Sequence, residues 1–180
     1  AHLARLYGRS DFFNYYLKWT HAGPDYPGYY RDQDYMAAGI NIPVNKKLRL
    51  NASVRREEQN LDENTAFFSA PLETYYQFGL DYRFLADTTF SLDYRHRDRE
   101  DRLPSPDYDY DEDSVRFGLS KNFNKLSVNT SAEFGQTDNH LEDQTSDLRR
   151  YTASAYYRPD RKQSYGGYIY FDEDSSFTGE

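Results

Sequence analysis

Apolar and polar residues alternate with a period of two through most of this chain. The pattern is clearest between Tyr75 and Arg97. Tyr76, Phe78, Leu80, Tyr82 and Phe84 share one parity, and Gln77, Gly79, Asp81 and Arg83 share the other. After Ala86-Asp87-Thr88 it resumes, with Phe90, Leu92 and Tyr94 set against Ser91, Asp93 and Arg95. A strand sends successive side chains to opposite faces, so the stretch predicts a β-hairpin with one apolar and one charged face.

The same unit recurs along the chain. Residues 1–8 read as the tail of a strand with Ala4 and Leu6 on the apolar parity. Phe13, Tyr15, Leu17 and Trp19 oppose Asn14, Tyr16 and Lys18; Met36, Ala38, Ile40 and Ile42 oppose Tyr35, Ala37, Gly39 and Asn41. Pro43, which has no N–H to donate, falls near a strand end. Leu48, Leu50, Ala52 and Val54 oppose Arg49, Asn51, Ser53 and Arg55. Val115, Phe117 and Leu119 oppose Arg116, Gly118 and Ser120. Lys121 then falls on the apolar parity beside a turn, where its stem can carry the ammonium to water. Leu126, Val128, Ala132 and Phe134 oppose Ser127, Asn129, Ser131 and Glu133. Tyr151, Ala153, Ala155 and Tyr157 oppose Thr152, Ser154, Tyr156 and Arg158. A last strand is predicted from Ser164 to Phe171, before an acidic tail.

Between the strands, short polar turns alternate with stretches predicted as long loops at 23–34, 57–73, 98–113 and 136–149. The turns centre near residues 10, 46, 87, 124 and 161. That interval is close to a propeller blade, but a blade packs four strands into each repeat and here each repeat holds two. Two strands of about ten residues, one short turn and one long loop are the unit of a membrane-spanning barrel, whose tilted strands need about 9–11 residues to cross.

Composition sharpens this reading. The 180 residues are enough for one domain. Only 37% are hydrophobic and the mean hydropathy is -1.02, low for a thick apolar core. Yet 18% are aromatic, with 19 Tyr and 12 Phe, which a disordered acidic chain would not carry. A barrel in lipid reconciles the two, because only its outward face must be apolar. Net charge -8 argues against nucleic acid as a partner. The absence of cysteine leaves no disulfide framework and no thiolate metal site. No run approaches the ~20 apolar residues of a membrane helix.

On these alternating runs and their turn spacing, the chain resembles Gram-negative outer-membrane β-barrels. The resemblance implies an all-β, up-and-down antiparallel transmembrane barrel or barrel segment of about 9–10 strands, located in the outer membrane, against lipid and lipopolysaccharide. Short turns would face the periplasm and long loops the outside, which puts both chain ends outside. Complete barrels of this kind end both termini in the periplasm and close on a terminal aromatic strand, and the first residues here lack the basic, apolar and small-residue order of a signal peptide. Residues 1–180 are therefore expected to be one barrel segment, incomplete at both ends.

If the apolar parity meets lipid, the other parity lines the interior. Lys18, Arg49, Arg55, Arg83, Arg95, Arg116 and Arg158 would stand there with Asp81, Asp93 and Glu133. The excess of cations would favour an anionic cargo by Coulomb attraction between low-dielectric walls. The bland account is stronger: arginines and aspartates on neighbouring strands pair to satisfy a polar interior. On the apolar parity, Trp19, Tyr76, Phe84, Phe90, Tyr94, Phe123, Phe134, Tyr151 and Tyr157 fall near strand ends. There they suit the aromatic girdles of the two membrane interfaces better than sugar-stacking platforms.

The expected function is an outer-membrane pore, export channel or scaffold, non-enzymatic and without a cofactor. Its cargo would be anionic, such as an acidic polysaccharide, or its partner a periplasmic protein. The pore domain of exopolysaccharide exporters is similar at this level. So is the barrel sheath of multihaem cytochrome conduits, which Asp147-Leu148-Arg149-Arg150-Tyr151 resembles, although the chain has no C-x-x-C-H haem site. A non-membrane adhesin or interaction sheet is the alternative from another class, and it would need a second layer over its apolar face. No G-x-S-x-G, H-E-x-x-H or P-loop motif is present. His2, His21, His96 and His140 are scattered; His96 lies near Asp93 and Asp98 with no nucleophile beside it. The run from Asp107 to Asp113 reads as a charged loop, since it lacks the order of an EF-hand.

Overall fold

A computed structural model describes residues 1–28, 32–160 and 162–174, with side chains to 172. It contains ten strands: β1 (His2–Arg9), β2 (Asn14–Ala22), β3 (Gln33–Pro43), β4 (Leu48–Gln59), β5 (Pro71–Leu85), β6 (Thr88–Asp101), β7 (Asp109–Phe123), β8 (Leu126–Asn139), β9 (Gln144–Tyr157) and β10 (Tyr165–Asp174). They form one sheet in sequence order, every neighbour antiparallel. Among the described residues no helix is assigned and β1 does not pair with β10. A single continuous sheet excludes the propeller.

Side-chain parity is kept from strand to strand. Leu17, Ala38 and Val54 stand opposite one another, as do Leu80 and Leu92, then Phe117 and Ala132. Hydrophobic residues are thereby gathered on one face, and most of the large ones are exposed, including Trp19, Phe78, Phe117 and Phe134. Buried hydrophobics among the described residues are only Ala22, Ala37, Ala70 and Leu148. This is not a fold held by an apolar core.

The polar face is the crowded one. Ser114, Glu112, Glu133 and Thr137 are all buried, with no second layer above them among the described residues. A one-layer sheet buries one face only by curving toward it. Contacts over an intervening strand agree: Arg95 of β6 reaches Glu133 of β8, and Arg150 of β9 reaches Glu112 of β7. Neighbouring strands lie ~4.8 Å apart, so such a reach crosses about twice that. The polar face is therefore concave and the apolar face convex.

The turns stand where expected, at 10–13, 44–47, 86–87, 124–125 and 158–164, with Thr88 inside β6 rather than in its turn. Short side chains close them. Asn45 Oδ1 accepts from the N–H of Lys47 (2.8 Å) and Leu48 (2.9 Å), and Asp160 Oδ1 from those of Lys162 and Gln163. Asn124 takes φ 24°, a left-handed value that Asn tolerates in a two-residue turn.

At the other end, the expected loops at 98–113 and 136–149 are mostly strand, and those at 23–34 and 57–73 are shortened. The connections span only 23–32, 60–70, 102–108 and 140–143. β5 and β7 run 15 residues and β6, β8 and β9 run 14, well beyond the ten or so expected. Residues 109–113 belong to β7, so the supposed acidic loop is split between two faces. Past the apolar band both faces carry polar side chains, and ladder hydrogen bonds need no apolar ones, so the period-two signal vanishes while the strand continues. The acidic tail from 175 on lies outside the described residues.

Candidate functional site

The concave face carries a set of charge rows set by strand register. Asn51, Gly79, Asp93, Arg116, Glu133, Arg150 and Asp172 stand in one row from β4 to β10, alternating in sign from Asp93 onward. Gly79 leaves the gap that admits its neighbours: a Cβ there would lie 2.4 Å from both Asn51 Oδ1 and Asp93 Oδ1. Directly opposite unlike charges each contribute about 0.2–1 kcal/mol where exposed.

Buried members are satisfied more fully. Glu133 accepts from Ser114 Oγ at 2.9 Å and from Arg95 Nη1, 3.3 Å from both its oxygens. Glu73 is shared by Arg55 and Arg97, the latter at 3.1 Å. Arg150 Nε lies 3.2 Å from Asp172, and its Nη1 lies 3.6 Å from Glu112. Arg116 donates to Ser131 Oγ at 3.1 Å, which in turn bonds Thr152 Oγ1 at 2.6 Å. Gln77 donates to Asp93 at 3.0 Å.

A second row is one-sided. Arg5, Lys18, Ala37, Arg55, Tyr75 and Arg97 align from β1 to β6, and the first acid in that row is Glu112 on β7. Lys18 Nζ sits 4.4 Å from the Tyr35 ring centroid and Arg55 5.6 Å from that of Tyr75. The buried Nε–H groups of Arg55, Arg95 and Arg97 find no acceptor among the described residues. Nearby, at the turn end of β1 to β5, a groove of about 580 Å³ is lined by Tyr7, Arg9, Asn14, Tyr16, Asn41 and Asn51, among others.

Lys18, Arg49, Arg55, Arg83, Arg95, Arg116, Asp81, Asp93 and Glu133 thus occupy one face, as their parity requires. Arg158 does not; it lies in the turn after β9, where its N–H donates to Lys125 O at 2.7 Å. Sequence reasoning missed Glu73, Arg99 and Glu112, which fall in expected loops, and Arg97 and Arg150, which stand at the edges of expected strands. The signal was there in Arg95, Arg97 and Arg99, which keep alternating after the last apolar residue.

The convex face bears two aromatic bands. Phe84, Phe90, Phe123 and Tyr157 lie toward the short turns; Trp19, Tyr76, Tyr94, Phe134 and Tyr151 lie further along their strands. All nine are exposed. In the second band Phe134 meets Tyr151 at 5.7 Å between centroids, and Tyr151 meets Phe171 at 6.1 Å. Ala38, Val54, Leu92, Phe117 and Ala132 fill the space between the bands. Eight residues separate Tyr76 from Phe84, about 27 Å along a strand. Lys121 keeps its ammonium 5.0 Å from the Phe123 ring, at the turn end.

Beyond the second band the convex face turns polar. His96 does not join Asp93, which points to the opposite face; its Nδ1 lies 3.0 Å from Asp113 Oδ1. The connections at this end are tied down. Asp101, buried at the loop end of β6, accepts from the N–H of Ala70 (2.7 Å), Asp107 (3.1 Å) and Leu103 (3.3 Å). Burial pushes its carboxyl up, but these three donors and Arg102 outweigh burial and hold it below the usual value. In the 102–108 connection, burial raises the Tyr108 phenol, against the pull of the Arg99 guanidinium 4.7 Å from its ring.

No family model matches this sequence, and no curated protein does. The fold does have solved counterparts. OmpT, an outer membrane protein of Vibrio cholerae, superposes with a TM-score of 0.74 at 10% identity, over 94% of this chain and 53% of its own. A porin refined at 1.8 Å superposes with a TM-score of 0.69 at 13% identity, over 95% of this chain and 56% of its own. The chain is an all-β, up-and-down sheet with the fold of outer-membrane β-barrels. It spans little more than half the length of either counterpart.

Proposed function

We propose that this chain forms part of the wall of a pore in the outer membrane of a Gram-negative bacterium. Its concave face borders water, its convex face meets lipid and lipopolysaccharide, and its two aromatic bands sit at the interfaces. The observation that carries this reading is the division of the sheet. One face exposes most of the large hydrophobics, with no layer over them among the described residues, and the other holds the bonded charge rows. In water that convex face would be far larger than the apolar patches soluble monomers expose. The role is passage of solute, with no bond made or broken.

The cargo we infer is anionic. The row from Arg5 to Arg97 supports it, since Arg5, Lys18, Arg55 and Arg97 outnumber the one Glu73 that Arg55 and Arg97 share. The groove lined by Tyr7, Tyr16 and three asparagines has the aromatic and amide chemistry that sugars use, so an acidic polysaccharide suits both. The test is the reversal potential of the full-length protein in planar bilayers under a salt gradient. Anion preference is expected, reduced when Arg55 and Arg97 are changed to Glu. Cation preference that persists in the native protein would overturn the anionic reading.

A further inference from the structure

On the convex face, past the second aromatic band, two histidines and two aspartates converge from three elements. His96 comes from β6, Asp111 and Asp113 from β7, and His140 from the 140–143 turn. His96 Nδ1 lies 3.0 Å from Asp113 Oδ1, and His140 Nε2 lies 2.6 Å from Asp111 Oδ1. The ligand atoms of His96, Asp111 and Asp113 all fall within 4.8 Å of one another. Around a tetrahedral ion with bonds of 2.0–2.2 Å, ligand atoms stand about 3.3 Å apart, so side-chain rotation alone brings these three together; His140 lies outside that set and is tied to it through Asp111.

The strand register supplies a second, independent observation. Asp98, Asp111 and Asp138 are directly opposite one another on β6, β7 and β8. Like charges in that position repel, and nothing in the backbone ladder requires them. A cation bound by Asp111, the middle member of that row, offsets the repulsion. We propose that His96, Asp111, Asp113 and His140 form a binding site for a divalent transition-metal ion of the zinc type. Two imidazoles select such an ion over calcium or magnesium, which take oxygen ligands. Bound there, it clips the β8–β9 turn to β6 and β7.

The full-length protein in detergent micelles, stripped with chelator, is titrated with Co²⁺ alone and then with Zn²⁺. The intense visible bands of four-coordinate Co²⁺ are expected, abolished by Zn²⁺ in excess, and Zn²⁺ is expected to raise the unfolding temperature with its concentration. H96N and H140N should each weaken Zn²⁺ binding by more than about tenfold, since loss of a mere outer-shell partner already costs about 10–100-fold. H21N is the control, because His21 and Asp34 make a similar pair at 2.9 Å elsewhere on this face. Circular dichroism confirms that each variant folds. Cobalt that stays octahedral, or zinc binding that survives H96N and H140N together, or binding lost in H21N, would each overturn the assignment.

Discussion

Arg95 on β6 reaches across β7 to grip Glu133 on β8, with Ser114 of the strand between them bonded to the same carboxylate. The contact joins strands that share no ladder. It exists only because the sheet curves toward its charged face, and it fastens that curvature.

Breaking this pair should therefore weaken the barrel wall. Arg95→Met leaves a buried carboxylate short of a partner, and such losses cost about 3–5 kcal/mol in a dry interior. The Arg95 side chain is 21% exposed, so about 1–3 kcal/mol is expected here after solvent screening. Reversible urea unfolding of Arg95→Met, Glu133→Gln and the double variant measures it. The double variant should lose less than the sum of the singles.

Parity predicts which residues a probe can reach. The chain has no cysteine, so single cysteines can be placed without background. At Asp93 and Arg116 they should react with a membrane-impermeant maleimide in proteoliposomes. At Leu92 and Phe117 they should resist it and respond to a lipid-phase quencher. Equal labelling at both sets would refute the assignment of faces.

A charge on the convex face should be tolerated according to depth. Leu119→Arg or Ala132→Arg, between the aromatic bands, should cost about 2–4 kcal/mol, and Phe123→Arg beside the turn about 0–1 kcal/mol. Unfolding from lipid vesicles gives both values. A soluble sheet would show no such gradient.

Asp101 holds two connections with one carboxylate. Its pKa is lowered in the folded state, so its contribution is fully present above the unfolded value near 4 and is lost as pH falls through the lower folded one. Asp101→Asn should remove that dependence and loosen 60–70 and 102–108 together. Amide exchange at Ala70, Leu103 and Asp107 should speed up about tenfold or more, as expected for losing a charge-assisted bond. Unchanged exchange in the variant would contradict the role.

Residue order by itself determined the strands, the short turns and the two faces. A single bit per residue suffices for this, because parity in a strand is a local geometric fact. The apolar member of each pair also marked how far the convex apolar band extends. The strand past Tyr94 or Phe134 is not legible in the sequence, since a strand polar on both faces carries no hydrophobic period, and 98–113 and 136–149 read as loops on that account. Register and curvature belong to the tertiary structure. They put Asp93 in line with Arg116, Glu133 and Arg150, turned Arg97 and Glu73 into partners, and brought His140 to Asp111 from 29 positions away. Pairing between strands is a long-range relation, and alternation within one strand is blind to it.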